Sequence, residues 1–295
     1  MYECAGTLTK IFNTYIVRLS IFPDELKLAE IIPAHKKNST TDKSNYRPIS
    51  LLPVISKVFE RLIIKQIQPF VDSFLSKFLC GFRKGYSCQH ALLNMLRNWQ
   101  SSLNSSGIVG AVLMDLSKAF DLLPHDLLIA KLDAYGFGSQ VLRLLYSYLS
   151  NRKHYTRVLL GSSLSTVLEL ILGVPQGSVL CPLLFNLFIN DLLLVGKEDI
   201  CNFADDNTMS IYDNNLPNVL NRMNIEIKVV LNWFLYNGMV ANPDKFQVIF
   251  LGLGDQQIEI QIGNSSIKSS NEVKLLVVTL DKKTKLFATR RKHLQ

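Results

Sequence analysis

Three carboxylates invite a chemical reading. Asp115 lies near the end of a nearly unbroken apolar run, Ile108 to Leu116, and Asp205 and Asp206 stand side by side in CNFADDNTMSIY. A charged group at the end of a buried strand is costly unless it faces a cleft or a cation. Carboxylates ~4 Å apart repel by about 4 kcal/mol at an effective dielectric of 20. Three of them in one place therefore need either protonation or a divalent metal. Oxygen-only ligation suits Mg²⁺, which keeps several waters and takes one or two carboxylates plus substrate phosphates. Two such ions ~3.5–4 Å apart are a usual device for in-line phosphoryl transfer. Taken alone, an Asp-Asp turn is more often solvated than catalytic, and composition and periodicity do not bring the three acids together.

The elements that must position them can be read from patterning. The run at 108–116 suits a strand buried on both faces. Short apolar arms around Ala204-Asp205-Asp206 suit a tight hairpin. Leu216, Val219, Leu220, Met223, Ile227, Val230, Leu231 and Phe234 trace a long helix ending at Gly238. Upstream, Pro48 and Pro53 predict a turn, and Val54, Val58, Phe59, Leu62 and Ile63 an amphipathic helix. Helices are also predicted over Ser87–Asn98, over Leu127–Tyr135 with a stop at Gly136, and from Ser139 to about Leu149. Strand-like runs fall at His154–Leu160, Leu164–Leu172, Phe246–Leu251, Ile258–Ile262 and Val273–Leu280. Residues 1–25 carry weak pattern. Helices first, then helices and strands mixed, favour an α+β class over a regular βαβ repeat.

Composition narrows the function classes. With 48% hydrophobic and 19% charged residues among 295, the chain can bury a sizeable core and is no disordered tail. Lys and Arg number 32 against 24 Asp and Glu, a net charge of +8, which favours a polyanionic partner over an acidic one. The five cysteines, Cys4, Cys80, Cys88, Cys181 and Cys201, form no C-x-x-C pair. That argues against a disulfide framework or zinc site and for a reducing, intracellular compartment. Glu3 and the polar stretch Thr7–Lys10 break up any secretory signal, so a secreted protein is not expected. The apolar stretch Ile171–Gly196 contains Pro175, Gln176, Asn186, Asn190 and Asp191, which makes it a turn and a buried helix rather than a membrane span.

In order along the chain, IIPAHKK…NYRPISLLPVISKVFERLI, CGFRKGYSCQHALL, AVLMDLSKAFDLLPHDLL, GVPQGSVLCPLLFNLFINDL, CNFADDNTM and LNWFLYNGMVANPDKFQVIFLG resemble the reverse transcriptase domain of non-LTR (LINE-type, jockey-like) retrotransposons. The likeness covers roughly residues 28–281. It implies an α+β right-hand polymerase fold, with fingers and an antiparallel palm sheet packed on helices. The expected divisions are a core over 28–254 (fingers about 28–107 and 136–171, palm about 108–135 and 172–254), terminal palm strands and a truncated start of the thumb over 255–295, and an N-terminal remnant over 1–27. The thumb is expected to be largely missing, which should weaken duplex grip, since much of that grip is backbone electrostatics.

The resemblance implies RNA-directed DNA synthesis, with an RNA template, a DNA primer and dNTPs as partners. It also implies two Mg²⁺ ions, Mn²⁺ being a substitute, held by Asp115, Asp205 and Asp206. Phe120, five residues after Asp115, looks like a steric gate against a ribose 2′-hydroxyl, acting by clash. Arg47, held extended by Pro48, resembles the arginine that contacts the incoming triphosphate. Either Lys36 or Lys37 resembles its partner. Gln176 in GVPQGS resembles the residue beside the nascent base pair, and Lys245 the lysine near the pyrophosphate leaving group, where it could act as a general acid. Departures include Phe203 and Phe246, where the family often has Tyr and Thr, and Cys181, where Gly or Ser is frequent. Val277 stands where Gly is usual, and would be strained if the site needs a positive φ. His125 is expected to start a helix, and Trp99 and Trp233 to pack. No protein partner and no membrane contact are implied. The competing expectation is a truncated, catalytically silent retroelement fragment that at most binds nucleic acid. A group II intron maturase ranks lower and a retroviral polymerase lower still.

Overall fold

A computed structural model describes residues 2–36, 39–157, 164–254, 256–263, 265–276, 278–282 and 286–288. The chain forms two compact units, each built from two separated stretches: Met1–Phe74 with Phe120–Phe188, and Leu75–Ala119 with Ile189–Gln295. Helices and largely antiparallel sheets share the chain, as the α+β class requires.

The second unit holds a sheet centred on the Ile108–Ser117 strand, which is buried through Met114. It pairs antiparallel with Asp206–Asp213 on one side and Gln247–Leu251 on the other. Asp206–Asp213 in turn pairs with Asp199–Phe203. Helix Cys88–Asn104, capped where the Ser87 hydroxyl accepts the His90 amide, lays Ala91, Leu92, Met95 and Trp99 onto one face with Val109, Ala111 and Leu113. The other face meets helix Leu216–Tyr236. A Cβ on Gly110 would come 2.9 Å from Cγ1 of the stiff Val219 side chain, so the absent side chain helps this helix lie against the strand. Gly238, at φ 67°, ends that helix.

In the first unit, strand Leu28–His35 pairs antiparallel with Tyr46–Leu51 and parallel with Lys153–Thr156, which also meets the short strand Leu168–Glu169. Helices Val54–Asp72, His125–Ala134, Ser139–Leu149 and Cys181–Ile189 accompany it. Edge-to-face pairs Phe12–Phe59 at 5.4 Å and Phe22–Tyr148 at 5.0 Å knit its core.

Three local expectations change. Tyr2–Phe12 is an α-helix, followed by a wider turn over Asn13–Arg18, although residues 1–25 show weak patterning. The run 273–280 is not one strand but a hairpin, Glu272–Leu275 against Val278–Asp281, reversing at Leu276 with φ 55°. Of the run 164–172 only Leu168–Glu169 is a strand, while 158–160 lie outside the described residues, as do Lys37 and Val277. His125 does begin a helix, and its Nε2 lies 2.6 Å from the Gly173 carbonyl.

Candidate active site

The three acids belong to one sheet of the second unit. Asp115 and Asp206 are directly opposite residues in the antiparallel register of their strands. Opposite residues in such a pair project to the same face. By strand alternation that is the face of Val109, Ala111 and Leu113, so Asp115 stands at the far end of a buried row. Asp205 sits in the two-residue turn between Phe203 and Asp206, where Ala204 has φ 59°.

That turn is fixed from behind. Asn202 and Asn207 are buried cross-strand partners; Asn202 Nδ2 donates to the Ala204 carbonyl at 2.7 Å and to Asn207 Oδ1 at 2.9 Å. The Cys80 amide donates to the Asn202 carbonyl at 2.9 Å. A Cβ at Gly81 would overlap the Ala204 amide nitrogen, so only glycine permits this approach.

The electrostatics follow from the crowding. Asp206 keeps solvent contact, yet partial burial pushes its carboxyl up to about 6, with Asp205 and then Asp115 adding to the shift. Lys245, at the end of the short helical turn Pro243–Lys245, places Nζ 3.1 Å from Asp115 Oδ2. One of the three charges is thus partly offset by a lysine. Among the described residues no group of three or more His, Cys, Asp or Glu side chains is preformed as a metal cage. The donor set nonetheless fits a hard cation: oxygen ligands only, like charges in excess, and one carboxyl holding its proton to higher pH through burial and its acidic neighbours.

The remaining expected residues belong to the first unit. Arg47 and Lys36 are exposed, with no side-chain hydrogen bond or ion pair among the described residues. Arg47 faces Ala34 across the strand pair, and the Lys36 amide donates to the Asn45 carbonyl at 2.8 Å. The half-buried Phe120 ring lies 4.3 Å from that of Phe185. Gln176 donates through Nε2 to Asp121 Oδ1 at 2.7 Å, and its carbonyl accepts the Ser50 amide at 2.6 Å. Gly177, at φ 113°, passes so close to Ser50 that a Cβ would come 2.7 Å from its carbonyl.

Sequence reasoning missed one residue that holds this loop. Glu60 is fully buried and accepts the Val179 amide at 2.6 Å, the Leu180 amide at 3.1 Å and the Ser56 hydroxyl at 3.0 Å. It caps the approach to helix Cys181–Ile189 from a distant helix. A carboxylate within the apolar stretch VISKVFERLII was the available sign.

Comparisons with known proteins agree with the geometry. A family model described as reverse transcriptase (RNA-dependent DNA polymerase) matches residues 34–280. The chain is 37% identical over 211 residues to "Probable RNA-directed DNA polymerase from transposon X-element" of Drosophila melanogaster, covering 68% of this chain and 22% of that protein. It is 29% identical to "RNA-directed DNA polymerase from mobile element jockey" of the same organism, covering 94% and 31%. The chain therefore spans a third or less of these relatives. Among solved structures, apo telomerase of Candida tropicalis truncated from its C-terminal domain matches with a TM-score of 0.62 at 11% identity, over 98% of this chain and 60% of that one. That likeness carries the fold, a right-hand polymerase. No helix among the described residues is long and apolar enough to cross a membrane.

Proposed function

This chain belongs to the reverse transcriptase (RNA-dependent DNA polymerase) family, and we propose that it extends a DNA primer on an RNA template, as the polymerase module of a non-LTR retrotransposon. The observation that carries the reading is the pairing of Asp115 with Asp206 across adjoining strands, with Asp205 in the turn beside them.

In this reading Asp115, Asp205 and Asp206 would hold two Mg²⁺ ions, with Mn²⁺ as substitute. When bound, such ions activate the attacking hydroxyl and offset charge on the phosphates. The primer 3′-hydroxyl gives up its proton to water as its oxygen attacks the α-phosphorus of a dNTP, a P–O bond forms, and the bond to pyrophosphate breaks. Lys245 gives a proton to the leaving pyrophosphate, a role supported by the short distance from its ammonium to Asp115. Arg47 and Lys36 or Lys37 neutralise the triphosphate, and their freedom from other ion pairs suits Arg47 and Lys36 to that task. Phe120 bars a 2′-hydroxyl, its ring braced by Phe185. Gln176, steadied by Asp121, lies beside the nascent pair. Fingers over about 28–107 and 136–171, a palm over about 108–135 and 172–254, and an intracellular site of action complete the proposal.

Primer extension with an RNA template, dNTPs and Mg²⁺ tests it. Template-dependent product is expected from the parent, with loss of about 10²–10³-fold in Asp205→Ala, the scale of electrostatic transition-state stabilisation. No product, or equal product from both proteins, defeats the reading in favour of a silent, nucleic-acid-binding fragment.

A further inference from the structure

The chain just after Phe120 is strapped to the GVPQGS loop inside the first unit. The Val174 amide donates to the Phe120 carbonyl at 2.9 Å, and the Gly173 amide to the Leu123 carbonyl at 2.8 Å. Gly173, at φ 80°, passes so close that a Cβ would come 2.6 Å from the Asp121 carbonyl oxygen. Beside these backbone ties, Gln176 Nε2 donates to Asp121 Oδ1 at 2.7 Å. Asp121 and Gln176 are half-buried and line a cavity of about 360 Å³, so the pair borders open space and not the core. The residue expected to check the sugar, Phe120, and the residue expected to lie beside the base pair, Gln176, thus share one support.

No other partner accounts for this aspartate. Its carboxylate makes no further hydrogen bond and no ion pair among the described residues, and Gln176 Oε1 has no hydrogen-bond partner among them. A carboxylate only accepts, so the amide can meet it only through its NH₂ group. Gln176, whose two ends could otherwise exchange places, is held in one orientation. Oε1 and the second Nε2 hydrogen are the atoms left to act. In the minor groove, correct pairs present acceptors that distinguish A·T from T·A poorly. One fixed donor there can check the shape of a pair without reading its sequence.

We propose that Asp121 is a positioning residue for base-pair selection: it pins the Gln176 amide, and the pinned amide discriminates a correct from a mispaired incoming dNTP. The proposal rests on the polymerase reading.

Steady-state primer extension on an RNA template, with a correct and then a mispaired dNTP, gives two kcat/KM values whose ratio is the selectivity. Asp121→Ala should lower kcat/KM for the correct dNTP about tenfold, the scale of one lost hydrogen bond. The mispaired value should stay near the parent's, so the ratio falls by the same factor. A merely structural loss would lower both values together. Gln176→Ala should show the same fall, and the double variant no more than that. Asp121→Asn, whose amide oxygen still accepts from Nε2, should return most of the ratio. An unchanged ratio in Asp121→Ala, a further fall in the double variant, or no recovery in Asp121→Asn overturns the proposal. Should Asp121→Ala not fold, Asp121→Ser ends short of the amide, and an unchanged ratio there overturns it equally. A parent that extends primers while Asp121→Ala keeps its selectivity sinks this inference alone. A parent without template-dependent product sinks the polymerase reading beneath it.

Discussion

The hairpin carrying Asp205 and Asp206 and the region around Arg152 present opposite electrostatic problems. In the first, partial burial and then two neighbouring carboxylates push Asp206 up to about 6, and Lys245 lies beside Asp115. In the second, the buried Arg152 guanidinium has two nitrogens without a hydrogen-bond partner among the described residues. Neither arrangement serves stability, because uncompensated charge in a partly desolvated place works against folding. The crowded carboxylates form an oxygen donor set that a hard cation would relieve, whereas the guanidinium is closed off from solvent. The scaffolds differ too. The acids sit on rigid paired strands and a turn fixed by Asn202, whereas Arg152 follows a helix end and precedes a strand.

The largest effect that would break this comparison is catalytic. Asp115→Ala should lower primer extension by about 10²–10³-fold while leaving the melting temperature close to the parent's. A variant that keeps its activity would remove the acids from the chemistry. Next in size is Glu60→Ala, which leaves the Val179 and Leu180 amides without their acceptor. A loss of about 3 kcal/mol is expected from urea unfolding, at ~1–3 kcal/mol for each stranded group. Glu60→Gln should lose less.

A third prediction concerns pH. The Asp206 carboxyl has its affinity for protons raised by folding. Between about pH 4 and 6 the folded state then holds more protons than the unfolded one, and stability falls as pH rises through that window. In metal-free buffer, Asp206→Asn should remove this fall and raise the urea midpoint at pH 7 relative to the parent. Added Mg²⁺ should raise the parent's midpoint more than the variant's. An identical pH dependence for the two proteins would show that the carboxylates are not crowded. The smallest effect is that of Lys245→Met on stability. Its pair with Asp115 is partly exposed and should be worth less than ~1 kcal/mol, whereas primer extension should fall about 10²-fold.

Much of this was legible in the residues alone. An apolar run as long as Ile108–Leu116 suits only a buried element, and Gly136 and Gly238, both at positive φ, mark helix ends as glycine should. The Ala204–Asp206 turn could be placed because its arms are apolar and short. Other features left no local trace. Glu60 meets amides 119 and 120 positions away in sequence, and its burial depends on a loop that patterning does not locate. Arg152 sits in the polar-looking NRKHYT, where a buried guanidinium cannot be told from a solvated one. The hairpin at Leu276 was hidden by its own arms, since VKLLVVTL is apolar on both sides of the reversal. The amino-terminal helix was missed because its apolar stripe, Ala5, Leu8, Ile11 and Phe12, is short and interleaved with Gly6, Thr7 and Thr9.

The central strand also has a history during synthesis. Ile108–Ser117 emerges from the ribosome well before Asp206–Asp213 and Gln247–Leu251, the segments that will cover its two edges. At ~5–20 residues per second, that delay is on the order of ten seconds. Throughout it, a greasy ribbon with two raw edges is available to any neighbouring nascent chain. Production of this protein should accordingly respond to holdase chaperones and to slowed translation more than the finished molecule's own stability would suggest.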